Sequence, residues 1–251
     1  MPEFLLFGHD TLECAYQLGR GSAGGLAFEQ LGRQKEALRA SKARHGAAVR
    51  LGDEEFLLAA HGTGSGYPFL LENDVFAVQC GPTNVPNFFV TYRSFGLWQF
   101  GAKRLHERFL AWVASVGFVP VASERLSRVD FSFDFRLAEI DFNEAHFVTQ
   151  AVKDNKHRKH GRAQTFRFGE GQLVLRVYDK CAEIEEQSAK TWFHDLWGTT
   201  EGVWRIEWQV RKEWLRRFGI RTLFDLFERQ GDLLRFLCTE HTTLRRPTGV
   251  W

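Results

Sequence analysis

The sequence predicts an α+β protein: a large antiparallel β-sheet with helices packed on one face, an arrangement compatible with two pseudo-repeated halves. Three observations carry this. Short apolar runs between Ala47 and Tyr92 are separated by Gly, Pro, Asn and Asp, as in a β-meander. Residues 94–117 then place Leu97, Leu105, Phe109, Trp112 and Val116 at helical spacing, with Lys103, Arg104, Glu107 and Arg108 opposite. Three later stretches, RVDFSFDFR at 128–136, QLVLRVYDK at 172–180 and VWRIEWQVR at 203–211, each set an apolar face against a polar one.

Size and composition set the frame. A chain of 251 residues, 44% hydrophobic and 25% charged with 24 phenylalanines, buries a sizeable core. A formal net charge of +2 gives no bulk argument for a nucleic-acid partner, so any such argument needs local clusters of Lys and Arg. Four scattered cysteines without a CxxC pair signal neither zinc nor a disulfide framework. No secretory leader or apolar membrane span is evident, so a soluble cytoplasmic protein is expected.

In chain order, residues 3–18 read as one or two strands and GRGSAGG at 19–25 as a glycine break; it lacks the Lys-Ser/Thr of a phosphate loop. Residues 26–44 read as a helix bearing Arg33, Lys35, Arg39, Lys42 and Arg44, either a phosphate-facing stripe or a solvated face. The strands AAVRL, EFLLAA, FLLE, VFAVQC and FFVTY follow, then the long helix ending at Gly117. This divides the chain into an N-terminal half, 1–122, and a half carrying the charged strands, 123–251.

In the second half, Arg128, Asp130, Ser132, Asp134 and Arg136 share one strand face; Asp130 and Asp134 lie roughly 13 Å apart at about 3.3 Å per residue, too far to chelate one ion from a flat strand. Residues 143–152 read as a helix. KDNKHRKHGR at 153–162 reads as a flexible basic loop whose Lys153, Lys156, Arg158, Lys159 and Arg162 would clamp DNA. Arg176, Tyr178 and Lys180 share one face of the next strand, and Arg205, Glu207, Gln209 and Arg211 one face of the last. A solvated sheet with cross-strand ion pairs explains any one of these strands. Two aspartates in one strand and a tyrosine among cations point instead to phosphoryl-transfer chemistry. Helical patterns at 214–218 and 223–237 close the chain.

The segments SRVDFSFDF (127–135), TFRFGEGQLVLRVYDKCAE (165–183) and WRIEWQVR (204–211) resemble, in order and spacing, the replication initiators of rolling-circle plasmids, integrative elements and filamentous phages, with their related relaxases. The family's RxD strand corresponds to Arg128 and Asp130, with Asp134 as a second acid. Its R-x-Y-x-K-x-x-E motif corresponds to Arg176, Tyr178, Lys180 and Glu183, and its R-x-E strand to Arg205 and Glu207. The Gly-Ser-Arg-like turn usual before the tyrosine strand is replaced by Phe168-Gly169-Glu170-Gly171. The class built on a His-hydrophobic-His metal site is not supported, because no such triplet occurs.

The resemblance implies a metal-dependent DNA nickase that cuts and rejoins origin DNA to start rolling-circle replication or transfer. Tyr178 would attack the phosphodiester with Lys180 and Arg176 in support. Mg²⁺ or Mn²⁺ would sit on some subset of Asp130, Asp134, Glu183 and Glu207, and Arg128, Arg205 and Arg211 would join the basic loop in holding DNA. The implied partners are origin DNA at a hairpin or single-stranded nick site, with host helicase and polymerase; a homodimer is compatible, a membrane is not implied. A non-nicking copy-control protein and a metal-dependent phosphohydrolase using water are the alternatives. Tyr92, followed by Arg93, is the second candidate nucleophile.

Overall fold

The computed structural model describes residues 2–21, 26–42, 45–137, 142–159 and 162–245, with backbone alone for 158, 159, 162 and 163. Strands β1 (Glu3–Tyr16) and β2 (Leu18–Arg20) precede helix α1 (Phe28–Ala40). The meander follows as β3 (Ala47–Leu51), β4 (Glu54–Leu58), β5 (Phe69–Glu72), β6 (Phe76–Cys80) and β7 (Phe88–Tyr92), then α2 (Ser94–Phe100), α3 (Ala102–Ser115) and β8 (Phe118–Pro120). The later chain forms β9 (Arg125–Arg136), β10 (Phe147–Thr149), β11 (Asp154–Lys159), β12 (Arg162–Phe168), β13 (Leu173–Asp179), α4 (Lys180–Glu183), α5 (Phe193–Trp197), β14 (Val203–Arg211), α6 (Lys212–Arg217), α7 (Leu223–Phe236) and β15 (Thr242–Leu244).

Eleven strands form one antiparallel sheet in the order β11-β12-β13-β14-β9-β1-β7-β6-β5-β4-β3, so the protein is α+β. Its residues divide into two compact units. One comprises 1–8, 129–220 and 224–251, the other 9–128 and 221–223. No helix among the described residues is long and apolar enough to cross a membrane.

In the 9–128 unit the five short meander strands lie where alternation and turn residues place them. Helix α3 buries Leu105, Phe109, Trp112 and Val113 completely or nearly so, each stabilising by roughly 1.5–3 kcal/mol. Phe109 packs against the rings of Phe76, Tyr16, Tyr92 and Trp112. The single long helix expected over 94–117 is two helices, because Gly101 takes φ +78°, ψ 154°, a conformation that breaks the α-helical hydrogen-bond ladder and that glycine adopts without strain. On α1, Lys35 is turned inward to donate to the Pro68 carbonyl at 2.7 Å, and Arg39 pairs with Glu36.

In the other unit two expectations give way to sheet structure. Residues 143–152 do not form a helix: a 3₁₀ turn (Glu144–His146) capped by Asn143 leads into β10, which pairs with β15. Phe147, Val148 and Thr149 favour a strand once a partner strand is available. The basic stretch 153–162 is likewise not a free loop over its described residues, since β11 is the edge strand of the sheet and pairs with β12. Its charged residues suit an exposed edge, where they discourage further strand addition. The turn between β12 and β13 requires glycine: Gly169 has φ +83°, and a Cβ there would lie 2.4 Å from the Leu173 carbonyl oxygen. That turn carries no cation; its Glu170 pairs with Lys153 at 2.7 Å.

Candidate active site

Strands β12, β13 and β14 set the site by register. Thr165 lies opposite Tyr178 and Arg167 opposite Arg176; across the other side of β13, Tyr178 lies opposite Arg205 and Arg176 opposite Glu207. Directly paired residues in an antiparallel ladder share a face, so these polar side chains converge while Val177, Ile206, Leu175 and Trp208 pair on the reverse face. That reverse face is apolar: with Trp204, Phe142 and Phe147 it lines a cavity of about 370 Å³ that contains none of the expected site residues.

The polar face is more buried than the alternation suggests. Asp130, Ser132, Asp134, Arg205 and Glu207 are all buried, whereas Phe133 and Phe135 on the supposed packing side of β9 are only half-buried. Helix α5 contributes to this cover. Arg205 forms a bidentate pair with Asp134 (Nε–Oδ1 2.7 Å, Nη2–Oδ2 2.8 Å), and Trp197 Nε1 donates to Asp134 Oδ2 at 2.9 Å. The Phe193 ring lies 4.4 Å from the Arg205 guanidinium carbon. A buried ion pair of this kind is tenable only with such complete hydrogen bonding.

Both Asp134 oxygens are thus engaged by Arg205 and Trp197, and Asp134 supports Arg205. Arg205, fully buried against Asp134 and Phe193, does not present its charge to DNA.

Above this layer lies Tyr178. Its hydroxyl donates to Glu207 Oε2 at 2.8 Å, while Arg176 Nη2 approaches Glu207 Oε1 at 3.0 Å and donates to Gln209 Oε1 at 3.1 Å. Tyr178 is half-exposed, whereas Tyr16, Tyr67 and Tyr92 are 1%, 8% and 0% exposed. Burial pushes the Tyr92 and Tyr16 phenols well above their usual ionisation range. Tyr92 is therefore removed as a nucleophile by its position in the core.

Lys180 is not on the strand with Tyr178. Asp179 caps α4 by accepting from the Ala182 amide at 3.0 Å, so Lys180 opens a helix and reaches Glu183 one turn on. Ser188 donates to the same Glu183 oxygen at 3.1 Å. The Lys180 ammonium is buried, 5.7 Å from the Tyr178 ring centre and 5.4 Å from that of Phe193.

The four expected metal ligands do not assemble as a set. Asp134, Glu183 and Glu207 each serve a cation, Asp130 is 2% exposed, and no group of three His, Cys, Asp or Glu suited to a metal occurs among the described residues.

Lys156 belongs to the reverse face, over the Phe166 ring and paired with Glu144. Arg128 pairs with Glu13 at 3.1 Å in the 9–128 unit. Lys153 is exposed beside Glu170, and Arg211 is half-buried at the end of β14. The side chains of Arg158, Lys159 and Arg162 lie outside the described residues.

Sequence reasoning passed over Arg167, Trp197 and Phe193. The alternation Thr165-Phe166-Arg167-Phe168 already marks Arg167 as a polar-face residue once β12 is paired with β13. Trp197 and Phe193 sit in WFHDLW, a short segment with no periodicity from which a role could be drawn. No protein-family model, no curated protein and no solved structure matches the chain.

Proposed function

We propose that this chain is a tyrosine transesterase that nicks and rejoins DNA, acting as a replication initiator at the origin of a rolling-circle element. The observation that carries the reading is the Tyr178 hydroxyl, the only phenol of four outside the core, hydrogen-bonded to a nearly buried carboxylate with Arg176 on that carboxylate's other oxygen.

The step begins with the Tyr178 phenolic oxygen attacking the phosphorus of a phosphodiester while its proton passes to Glu207 Oε2. A new O–P bond forms, the bond from phosphorus to the 3′ oxygen breaks, and that oxygen leaves as a 3′ hydroxyl after taking up a proton. The product is a 5′ phosphotyrosine that conserves the ester for rejoining. An ordinary tyrosine ionises near pH ~10, so attack at neutral pH needs a base and positive charge. Glu207 supplies the first. Arg176 and the Lys180 ammonium behind the ring supply the second, Lys180 acting on the phenol and not on solvent-borne substrate. Asp134, Glu183 and Glu207, three of the carboxylates that would hold Mg²⁺ or Mn²⁺, each pair with a cation. Host helicase and polymerase would take over the freed 3′ end.

The test is incubation with supercoiled plasmid carrying the element's own origin, with and without Mg²⁺ or Mn²⁺, followed by denaturing gel electrophoresis. Protein covalently bound to DNA is expected from the native chain and not from Tyr178→Phe. Adduct with the variant would remove Tyr178 as nucleophile; free nicked ends would indicate hydrolysis by water, and intact supercoils a binding protein.

A further inference from the structure

Arg167 and Arg176 are directly opposed on β12 and β13. Opposed residues of an antiparallel pair carry their Cβ atoms about 4.5–5.5 Å apart, and like charges so placed repel. Glu207 answers only Arg176, from the β14 side. Arg167 is exposed and makes no ion pair among the described residues. A second observation points the same way: Arg176 Nε is buried and has no hydrogen-bond partner among the described residues, although its Nη2 is engaged by Glu207 and Gln209. Two guanidinium groups, one with a donor and one with a charge that no described residue answers, make a site for an anion with several acceptor oxygens.

We propose that Arg167 and Arg176 together bind a backbone phosphate of single-stranded DNA, the one next to the phosphate that Tyr178 attacks. This rests on the transesterase reading for the identity of the ligand. Arg176 and Tyr178 are two residues apart on one face of β13, roughly 7 Å at about 3.3 Å per residue, so a strand laid along β13 meets the arginine pair and the phenol in succession. The pair positions the substrate; Arg167 touches no reacting atom.

The experiment is a titration of fluorescein-labelled oligothymidylate by fluorescence anisotropy over a range of NaCl concentrations. It compares the native chain with Arg167→Gln, Arg167→Lys and, as a control, Arg50→Gln, an exposed cation paired with Glu55 in the other unit. Each phosphate contact on a single strand contributes about 0.7 to the slope of log affinity against log salt. Arg167→Gln should lower the slope by about 0.7 and weaken binding roughly tenfold at low salt, Arg167→Lys should keep the slope, and Arg50→Gln should match the native chain. An unchanged slope in Arg167→Gln, an equal loss in Arg50→Gln, or no binding by the native chain would each overturn the site. The covalent-adduct assay fails independently. The slope change without adduct retains the phosphate site and removes the transesterase, whereas adduct with an unchanged slope does the reverse.

Discussion

Tyr178 donates to Glu207 across 2.8 Å while Arg176 holds the other oxygen of the same carboxylate at 3.0 Å. The phenol thus has a proton acceptor whose own charge is shared with an arginine. Glu207→Gln keeps a hydrogen-bond acceptor and nearly the same volume but removes the charge and the ability to take a proton. Covalent adduct formation should fall by about 100-fold or more, in the range general-base catalysis supplies, with the urea-unfolding midpoint little changed. Raising the pH should restore part of the lost rate in Glu207→Gln, because hydroxide then competes for the phenolic proton. A variant as fast as the native chain would remove Glu207 as the base.

Asp134 and Arg205 are both fully buried and bound to each other through two hydrogen bonds. Removing one partner strands the other's charge in the core, a loss of about 3–5 kcal/mol, whereas replacing both with apolar residues of similar volume is often neutral. Arg205→Met and Asp134→Leu should each lower the urea midpoint steeply, and the double variant should recover most of the loss. A double variant as unstable as the sum of the singles would show that the two residues act independently. The pair's charges would then matter through other contacts, such as Trp197 and Phe193.

Much of this arrangement was legible in the sequence, because a strand's two-residue period fixes which side chains share a face. That logic located Arg176, Tyr178, Arg205 and Glu207, and the meander strands β3 to β7. What it could not show was what covers each face. Asp130, Ser132, Asp134 and Arg205 lie on the polar faces of their strands, yet they are buried, with Trp197 and Phe193 of α5 lying on Asp134 and Arg205. A six-residue segment such as WFHDLW has too few residues for a helical period to register. Lys180 left the strand for a similar local reason: Asp179 caps a helix there, a competition between side chain and backbone that alternation alone does not resolve. The break at Gly101 was hidden because apolar spacing continues on both sides of it.

In the 9–128 unit, His106 Nδ1 lies 3.0 Å from the Tyr16 hydroxyl and 3.3 Å from that of Tyr92, and the two phenols also bond to each other. Each phenol has one proton to give, so the three groups are satisfied when one phenol donates to the other and that one donates to an unprotonated Nδ1. Burial lowers the His106 pKa, and the nearby carboxylates of Glu124 and Glu107 offset only part of this. A histidine in an unfolded chain titrates near pH ~6.5, so below that pH the unfolded chain takes up a proton that folded His106 refuses. The stability His106 contributes is therefore present above about pH 6.5 and is lost as pH falls towards its folded pKa, by at most about 1.4 kcal/mol per pH unit in that window. His241, whose pKa burial also lowers, acts in the same direction and remains in both proteins compared. Urea unfolding of the native chain and His106→Gln across this range should show a flatter pH dependence in the variant, since glutamine offers an acceptor oxygen that does not titrate. Equal slopes in the two proteins would mean that His106 is already protonated within the phenol pair and that burial does not control its charge.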